Sequence, residues 1–381
     1  MGTPTRTCTR GIEDPRRFFV YENRESGSPD RQPGRRRAAC EGPFDEVGGA
    51  SAVAVRLVHP GGERGAGRMV APGPTGHHPG VDFVQAQQVF LTPPDPERPP
   101  ARVPDTPARR LRDAAEPIAT ISIWGRQLNE RLSALGLDFL TGYVWARAAP
   151  MGEPAAPVVV AAFGVFEPGL ITGLYEEARG KATRDDVLTA REQGAVESLR
   201  ALLPNADVTD AVAALRRGTD VAAQHLVGRP LFAGLVSLPW PDDPLGQLWH
   251  AATMLREYRG DVHQAANVAA DLTGVQMNLM TEYWVGWAHT EYAGTRGWSA
   301  EAMAEADADL MRRGLVADGA LTEQGRRLRD GIEEQTEAAL APVLDAICPE
   351  LPTLTRQLDE WSAAIVTGGA APPDVYKRIS G

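Results

Sequence analysis

The residue types best suited to chemistry are concentrated in one stretch, LWHAATMLREYRGDVH, at positions 248–263. Arginine binds carboxylate and phosphate groups through paired, planar donors, and histidine gains or loses a proton near neutral pH. A corner between two helices in this stretch would bring several of these side chains together. The polar residues are His250, Arg256, Tyr258, Arg259, Asp261 and His263.

Three interpretations of this polar corner remain open. A metal ion needs two or three converging ligands, and only Asp261 and His263 are close enough in sequence, which disfavours a metal. In a structural interpretation, Asp261 caps a helix, Arg259 pairs with a carboxylate and His263 forms an interior hydrogen bond. In the third, arginines and His263 face an anionic ligand beside two tryptophans. The predicted ligand-binding residues are Trp249, Arg256, Arg259, Asp261, His263 and Trp284.

Nucleophilic catalysis finds little support in the sequence. The chain has no G-x-S-x-G motif, and Cys348 lies in a late ICPE segment. The segment GGERGAG at 61–67 lacks the Gly-Lys-Ser/Thr ending of a phosphate-binding loop. We therefore predict no catalytic residue, no metal and no cofactor. The alternative is an enzyme of unrecognised type that uses Arg259, Asp261 and His263.

Two apolar stripes at helical spacing flank the polar corner. The first includes Leu248 and Leu255, and the second runs from Val262 to Leu272. Asp261 directly precedes the second stripe, where a helix-capping side chain is favoured. The pattern predicts a helix, a turn at the corner, and a second helix that is capped by Asp261.

Further helices are predicted upstream. Apolar spacing over 121–148 predicts a helix pair with a break at Gly136, and Pro168 separates two short helices within 156–180. Two more segments, TRDDVLTAREQGAVESLRALLP and VTDAVAALRRGTDVAAQHLVG, each begin with a threonine cap followed by acids. A mainly helical protein is expected.

The segment GWSAEAMAEADADLMRRGLVADGALTEQGRRLRD, at 297–330, predicts a helix, a short β-wing and a second helix. Ser299 is placed to cap the first helix, and Gly314 to end it in a left-handed conformation. Asp318-Gly319 is a strong hairpin-turn dipeptide between two short extended pieces. The inward face of the first helix contains Met303, Ala306 and Leu310.

Part of this segment, LMRRGLVADGALTEQGRRLRDGIEEQT, resembles the end of the winged helix in MarR-like regulators. More broadly, 125–345 resembles an uncharacterised actinobacterial family with a MarR-like helix-turn-helix, in which the polar corner more often has His and Gly where Tyr258 and Val262 stand. The matching pieces are VWARAAPMG, GRPLFAG, LPWPDDPLGQLWHAATMLREYRGDVH, TRGWSAEAM and LTEQGRRLRD. The resemblance implies a mainly α fold with a small β-wing and a regulatory role, but it assigns no site residue.

The charges of the predicted reading helix do not suit DNA. Its polar positions are mostly acidic, and Arg312 and Arg313, the predicted DNA contacts, come only in its last turn. DNA recognition needs donors for base edges and positive charge for phosphates, whereas 116–381 carries 22 basic and 36 acidic residues, a net charge of −14. We expect weak or no direct DNA binding. The acidic positions are Glu301, Glu305, Asp307 and Asp309.

Composition divides the chain near residue 115. The segment 1–115 holds 16 of the 31 prolines and 17 basic against 14 acidic residues, which predicts a disordered extension. A basic arm for nucleic acid and a misassigned start codon are the alternatives. The rest divides into an N-terminal helical region at 116–240, a winged-helix-like domain at 241–345, and a C-terminal helix and tail at 346–381.

A faint internal repeat has an offset of 109 residues and places Arg147 on Arg256 and Leu170 on Leu279. It indicates a tandem pseudo-dimer or chance among alanines. The three scattered cysteines form no disulfide or zinc pattern, and the longest apolar run, 158–166, is too short to cross a membrane. A cytoplasmic protein is expected. We expect its partner to be a small anionic molecule or a protein; binding to nucleic acid stays open, and no membrane association is expected. The repeat is consistent with a homodimer or an internal pseudo-dimer.

Overall fold

The computed structural model describes residues 83–93, 96–97 and 103–379, and the fold is mainly helical with one small β-hairpin. This confirms the predicted fold class. The elements, in chain order, are α1 (Phe83–Phe90), α2 (Pro107–Ala119), α3 (Ile121–Trp124), α4 (Arg126–Ala134), α5 (Phe139–Ala148), a 3-10 turn (Ala149–Met151), α6 (Ala156–Phe163), α7 (Pro168–Lys181), α8 (Arg184–Leu202), α9 (Thr209–Ala222), α10 (Pro230–Val236), α11 (Pro244–Ala269), α12 (Gly274–Val285), α13 (Glu291–Gly294), α14 (Ala300–Arg312), β1 (Val316–Ala317), β2 (Ala320–Leu321), α15 (Glu323–Ala338), α16 (Ala341–Ile347), α17 (Leu351–Thr367) and α18 (Val375–Ile379).

The helix, wing and helix predicted at 297–330 are confirmed as α14, the β1–β2 hairpin and α15, which we call the winged element. Ser299 caps α14, Gly314 follows it with φ 71°, and Thr322 caps α15. The hairpin turns through Asp318 and Gly319, both with positive φ, as a two-residue turn with right-handed twist requires. These elements follow from local signals, so the sequence was sufficient to predict them.

The predicted turn at the polar corner is wrong. One continuous helix, α11, spans Pro244–Ala269, and Asp261 lies inside it. Asp261 still acts as a cap, but for α10: its Oδ2 accepts a hydrogen bond of 3.0 Å from the Phe232 backbone N–H. Gly260 weakens a helix by about 1 kcal/mol relative to alanine, but packing and ion pairs on both sides of it keep α11 intact.

The boundary predicted at residue 115 is also corrected. Thr106 accepts a hydrogen bond from the Arg109 N–H and starts α2, which runs through the predicted boundary to Ala119. Most of α2 is buried, because its Leu111 and Ile118 pack into the main core. The proline-rich composition of the preceding segment concealed this helix. The predictions made for residues 1–82, including the basic arm, lie outside the described residues.

The main hydrophobic core draws on α2, α8, α9, α10, α11, α16 and α17. A second cluster forms between α4, α5, α6, α7 and α8, and a third joins the end of α11 to α12 and the winged element. The main core contains residues from each of the ranges 116–240, 241–345 and 346–381. The predicted division into those segments stays a prediction. α11 contributes to the first and third clusters and so connects the helical body to the winged element.

Several upstream predictions are confirmed. The segment 121–148 forms α3, α4 and α5 with a positive φ at Gly136, Pro168 starts α7, and Thr183 caps α8. Thr209 is instead the first residue of α9, after an uncapped Val208. The pseudo-dimer stays a prediction. Among the helices of the described residues, none has the length and apolar character to cross a membrane.

A candidate anion-binding cavity beside the winged element

A cavity of about 110 Å³ lies where the helical body meets the winged element. Its wall is built by α2, α5, α6 and α10 on one side, by residues 256–267 of α11, and by α12, α13 and α15 on the other. It therefore touches both the central helix and two helices that pack against the wing.

Arginines dominate the charged part of this wall. Six arginines and two carboxylates line the cavity, so arginines outnumber carboxylates by four. An interior with unbalanced charge is unfavourable unless a counter-charge is supplied. The arginines are Arg109, Arg147, Arg256, Arg259, Arg296 and Arg329, and the carboxylates are Asp261 and Glu333. Glu257 does not line the cavity but pairs with Arg147 and Arg256.

One group of arginines surrounds Glu333 of α15. The Glu333 carboxylate accepts hydrogen bonds from Arg259 and from Arg329 Nη1, and Arg109 Nη1 lies 3.6 Å from its Oε1. All four side chains are buried. Burial opposes ionisation of Glu333, but the facing cations outweigh it and lower its pKa.

Asp113 also accepts a hydrogen bond from Arg109 Nε at 3.0 Å, so two carboxylates face the three cations of this group. Burial lowers the pKa of Arg259 to about 10, because the neighbouring arginines add repulsion that Glu333 does not fully cancel. The pKa of Arg329 is lowered for the same reasons. Buried nitrogens on Arg109, Arg259 and Arg329 lack a hydrogen-bond partner among the described residues. Donors therefore exceed acceptors in this part of the wall.

A second group, around Glu257, is balanced. Arg147 Nε and Nη2 bind the two Glu257 oxygens at 3.1 and 2.8 Å, and Arg256 Nη1 binds Oε1 at 2.8 Å. Arg256 also reaches Glu116 of α2 at 3.2 Å. Burial opposes ionisation of Glu257, yet the two arginines lower its pKa to about 2, while the pKa of each arginine is raised.

Arg296 differs from the other arginines of the wall. Its guanidinium lies over the rings of Tyr292 and Phe166, at 4.2 and 5.1 Å, and its Nη1 donates to Thr295 Oγ1. Within the part of the chain that the structure describes, no carboxylate forms an ion pair with it. Aromatic rings hold the cation in place, but its charge is left for another anion.

His263 and Asp261 add titratable groups to the wall. His263 Nδ1 lies 3.0 Å from Thr336 Oγ1, which itself donates to the Ile332 carbonyl, so His263 is the donor and its Nε2 carries the lone pair. Burial and Arg329 lower the pKa of His263 well below its usual value. Burial raises the pKa of Asp261 to about 7, against the effect of its bond from Phe232 N–H.

The remainder of the wall is largely apolar or amide-bearing. The Asn278 side-chain amide of α12 donates to the Val165 carbonyl, and the Gln264 amide of α11 donates to the Ala161 carbonyl of α6. These bonds hold α6 and the segment that follows it against α11 and α12. A ligand here would meet arginines and carbon surface side by side, because Arg147 lies over the Phe163 ring and Arg296 over the Phe166 ring. The apolar lining comes from Phe163, Val165, Phe166, Leu231 and Met277.

The predicted ligand-binding residues are only partly brought together. Arg256, Arg259, Asp261 and His263 line the cavity. Trp249 lies in the main core instead, where the Arg191 guanidinium stacks on its ring at 4.6 Å. Trp284 does not line the cavity. Arg329, which does, lies over the Trp284 ring at 4.2 Å, and Trp284 Nε1 donates a hydrogen bond to Asp330.

The other two residues of the polar stretch, His250 and Tyr258, do not line the cavity. His250 is buried against the Trp240 and Trp249 rings, and burial lowers its pKa to about 4. The Tyr258 hydroxyl donates to the Ala339 carbonyl.

Sequence reasoning missed Arg109, Arg147, Arg296, Arg329 and Glu333. Each is far from the polar stretch in sequence, and no motif connects them. The repeat offset did place Arg147 on Arg256, and the structure brings both to Glu257. Arg296 lies in TRGWSAEAM, one of the pieces that carried the resemblance.

The predicted DNA contacts are in the winged element, away from this cavity. Arg312 is exposed and pairs with Asp309 at 2.9 Å. Arg313 donates to the carbonyls of Asp271 and Ala270, which fastens α14 to the end of α11.

Two of the four acidic side chains on α14 accept hydrogen bonds from α12. Asp309 accepts from Gln276 Nε2, and Asp307 accepts from the Tyr283 hydroxyl, both on α12. Glu301 and Glu305 remain exposed on the helix. The presented surface of α14 is therefore acidic at two positions, fewer than the sequence suggested.

Over the described ranges, no group of three or more His, Cys, Asp or Glu residues is arranged to hold a metal ion.

Comparison with known proteins gives one match. A family model described as a helix-turn-helix family covers residues 108–372, which is 265 of the 381 residues. No curated protein and no solved structure matches the chain. The matched range begins in α2 and ends after α17, so it includes the helical body, the cavity and the winged element. The chain therefore belongs to this helix-turn-helix family.

Proposed function

We propose that this protein is a regulator of MarR-like type whose winged element responds to a small anionic molecule bound in the arginine-lined cavity. The observation that carries the proposal is Arg296, a cation in the cavity wall that has no carboxylate partner among the described residues. The arginines around Glu333 add to the excess of positive charge. An anion would balance this charge and meet donors that are already in position.

The shape of the cavity limits the ligand. A volume of about 110 Å³ suits a compact molecule, and the wall combines arginine donors with Phe163, Phe166 and Met277. Arginine binds planar carboxylate and phosphate groups with paired donors. We propose a carboxylate or phosphate with a small apolar portion, because this combination would satisfy both parts of the wall.

The position of the cavity connects binding to the winged element. Arg296 lies in the loop between α13 and α14, Arg329 and Glu333 belong to α15, and Asn278 belongs to α12. A ligand that contacts these residues and α11 at once would favour one arrangement of the winged element over another. A ligand shifts such an equilibrium only through its different affinity for the two arrangements.

The output is proposed to be a partner protein, with weak or no direct DNA binding. Glu301 and Glu305 are exposed on α14, and Arg312 is paired with Asp309. Carboxylates at this surface oppose phosphate contacts. A mobility-shift assay with the DNA upstream of the gene, over a range of salt concentrations, tests this part. Tight and sequence-selective binding at physiological salt would contradict it, and binding that appears only in a Glu301→Gln, Glu305→Gln variant would support it.

Ligand binding is tested by thermal unfolding with acetate, butyrate, benzoate and inorganic phosphate at constant ionic strength. A ligand that binds the folded state raises the melting temperature by mass action. We expect at least one anion to stabilise the wild type, and Arg296→Met to remove that effect while leaving the Glu333 and Glu257 ion pairs intact. Arg312→Met is the matched control, since Arg312 is exposed and outside the cavity. Equal stabilisation of all three proteins would refute the site.

An enzyme remains the second hypothesis, because Asp261 lines the cavity and its pKa is raised to about 7. Such a carboxyl group suits general acid or base chemistry near neutral pH. The stabilising anion should then be chemically converted on incubation with the protein. Conversion that is lost in Asp261→Asn would support an enzyme, and quantitative recovery of the unchanged anion would support a regulator.

A further inference from the structure

A second, smaller chamber lies on the far side of the Glu257 ion pairs. Its volume is about 20 Å³, which is room for one water-sized species. Arg147 and Arg256 line both this chamber and the larger cavity, whereas Glu257 and Arg191 of α8 line only the smaller one. The two spaces therefore present different cations.

Arg191 is a buried cation that Glu257 and Glu192 attract but with which neither forms an ion pair. Only 5% of its surface is exposed, and its guanidinium stacks on the buried Trp249 ring. No residue in the described part of the chain forms a hydrogen bond or an ion pair with it. Leaving an ionised group unpaired in the interior is costly, and burial accordingly lowers the pKa of Arg191 to about 10.

The nearest carboxylate is already engaged. Both oxygens of Glu257 accept hydrogen bonds from Arg147, and Oε1 also accepts from Arg256. The chamber wall thus carries three arginines and one carboxylate. His250, which also faces Arg191, does not add charge at neutral pH because burial lowers its pKa to about 4.

The hydroxyl groups of the wall do not replace a counter-charge. Thr253 donates its proton to the Trp249 carbonyl, and Thr120 donates to the Glu116 carbonyl. The donors left to face the chamber are the guanidinium groups and the Tyr143 hydroxyl, which accepts from Arg147 Nη1 and keeps its own proton. We propose that the chamber binds one compact monovalent anion, of halide size, against the Arg191 guanidinium. This inference does not depend on the ligand of the larger cavity.

Crystals grown in bromide test the site directly, since bromide replaces chloride and scatters anomalously. We expect an anomalous peak in contact with the Arg191 nitrogens inside the chamber. Absence of a peak there, in crystals that contain bromide, would overturn the proposal and indicate that water alone solvates Arg191. This measurement uses the wild-type protein and so does not depend on the folding of any variant.

A solution measurement separates a bound ion from an adventitious one. The melting temperature is compared in sodium chloride and sodium gluconate at equal ionic strength. Chloride at 100 times its Kd should raise the wild-type value by about 3 to 5 °C. The difference should vanish in Arg191→Met, which keeps the stem on Trp249. Arg191→Met should also be at least as stable as the wild type in gluconate, because an unpaired buried charge has been removed.

The matched control is Arg216→Met. Arg216 also stacks on a tryptophan, at 4.4 Å from the Trp240 ring, but it is exposed and outside the chamber. It should retain the full chloride effect, and so should Arg296→Met. A chloride effect that survives in Arg191→Met, or one that Arg216→Met also loses, would overturn the assignment to this chamber. If the Arg191 variant behaves as expected while no anion stabilises through Arg296, only the proposed regulatory ligand fails.

Discussion

Replacement of Glu333 by glutamine should be one of the most damaging single changes near the cavity. Glu333 is buried and is the shared acceptor for Arg259 and Arg329, with Arg109 3.6 Å away. Glutamine keeps the shape but removes the charge, which leaves the buried Arg259 and Arg329 without their carboxylate, while Arg109 keeps its ion pair with Asp113. Breaking a buried ion pair by removing one partner costs about 3–5 kcal/mol. For a protein of this size, that corresponds to a fall in melting temperature of about 4 to 9 °C.

Glu334→Gln is the matched control, because it removes one carboxylate from the next position of α15, where the side chain is exposed. It should change the melting temperature by no more than a degree or two. Thermal unfolding at pH 7 and low salt compares the two variants. Inorganic phosphate should stabilise Glu333→Gln more than the wild type, since the freed Arg259 and Arg329 can bind it.

The pH dependence gives a second check on Glu333. Its folded-state pKa is lowered, so the stabilisation it provides is present above its unfolded pKa of about 4.3 and is lost as pH falls through the folded value. The gap between wild type and Glu333→Gln should therefore narrow on acidification below that pH. If Glu333→Gln and Glu334→Gln unfold at the same temperature, the arginine cluster does not contribute as described.

Three further changes follow from the structure. Gly260→Ala should raise the free energy of unfolding by about 0.5–1 kcal/mol, because alanine favours the helix and its methyl would lie 3.8 Å from a Glu257 oxygen, an ordinary contact. The same methyl narrows the cavity, so calorimetric titration should show weaker anion binding. The pKa of Asp261 is raised from 3.8 to about 7. The free energy of unfolding of the wild type should therefore fall by up to about 4 kcal/mol relative to that of Asp261→Asn as pH rises from 4 to 7. Urea unfolding at each pH measures this difference, and a difference that stays constant would contradict the prediction. Gly325→Ala should disrupt the wing, because its methyl would lie 2.0 Å from the Leu315 carbonyl oxygen, whereas Gly331→Ala in the same helix meets nothing within 4 Å and should stabilise slightly in thermal unfolding.

The winged element could be predicted from sequence because its signals are local. Ser299, Gly314, Asp318-Gly319 and Thr322 each determine a cap or a turn within a few residues of themselves. Such signals act through backbone geometry, which a single sequence reveals. The hydrophobic spacing of α14 was likewise sufficient to place Met303 and Leu310 in the third core cluster.

The cavity could be predicted only in part, because its groups meet over long sequence distances. Arg147 and Glu257 are 110 residues apart, and Arg259 and Glu333 are 74 apart. No local pattern identifies such partners. The predicted turn before Asp261 failed for a related reason: its side chain caps α10 from within α11, a contact that spans 29 residues. A capping residue identifies a cap, but not which helix it serves.

The central claim is that an anion held at Arg296 alters the winged element. Hydrogen–deuterium exchange of residues 274–338 tests it most directly, measured with and without whichever of acetate, butyrate, benzoate or phosphate stabilises the protein best. We predict slower exchange in α12, the hairpin and α15 when the anion binds to the wild type, and no change in Arg296→Met. Binding that leaves exchange in these elements unchanged, or equal protection in Arg296→Met, would contradict the account.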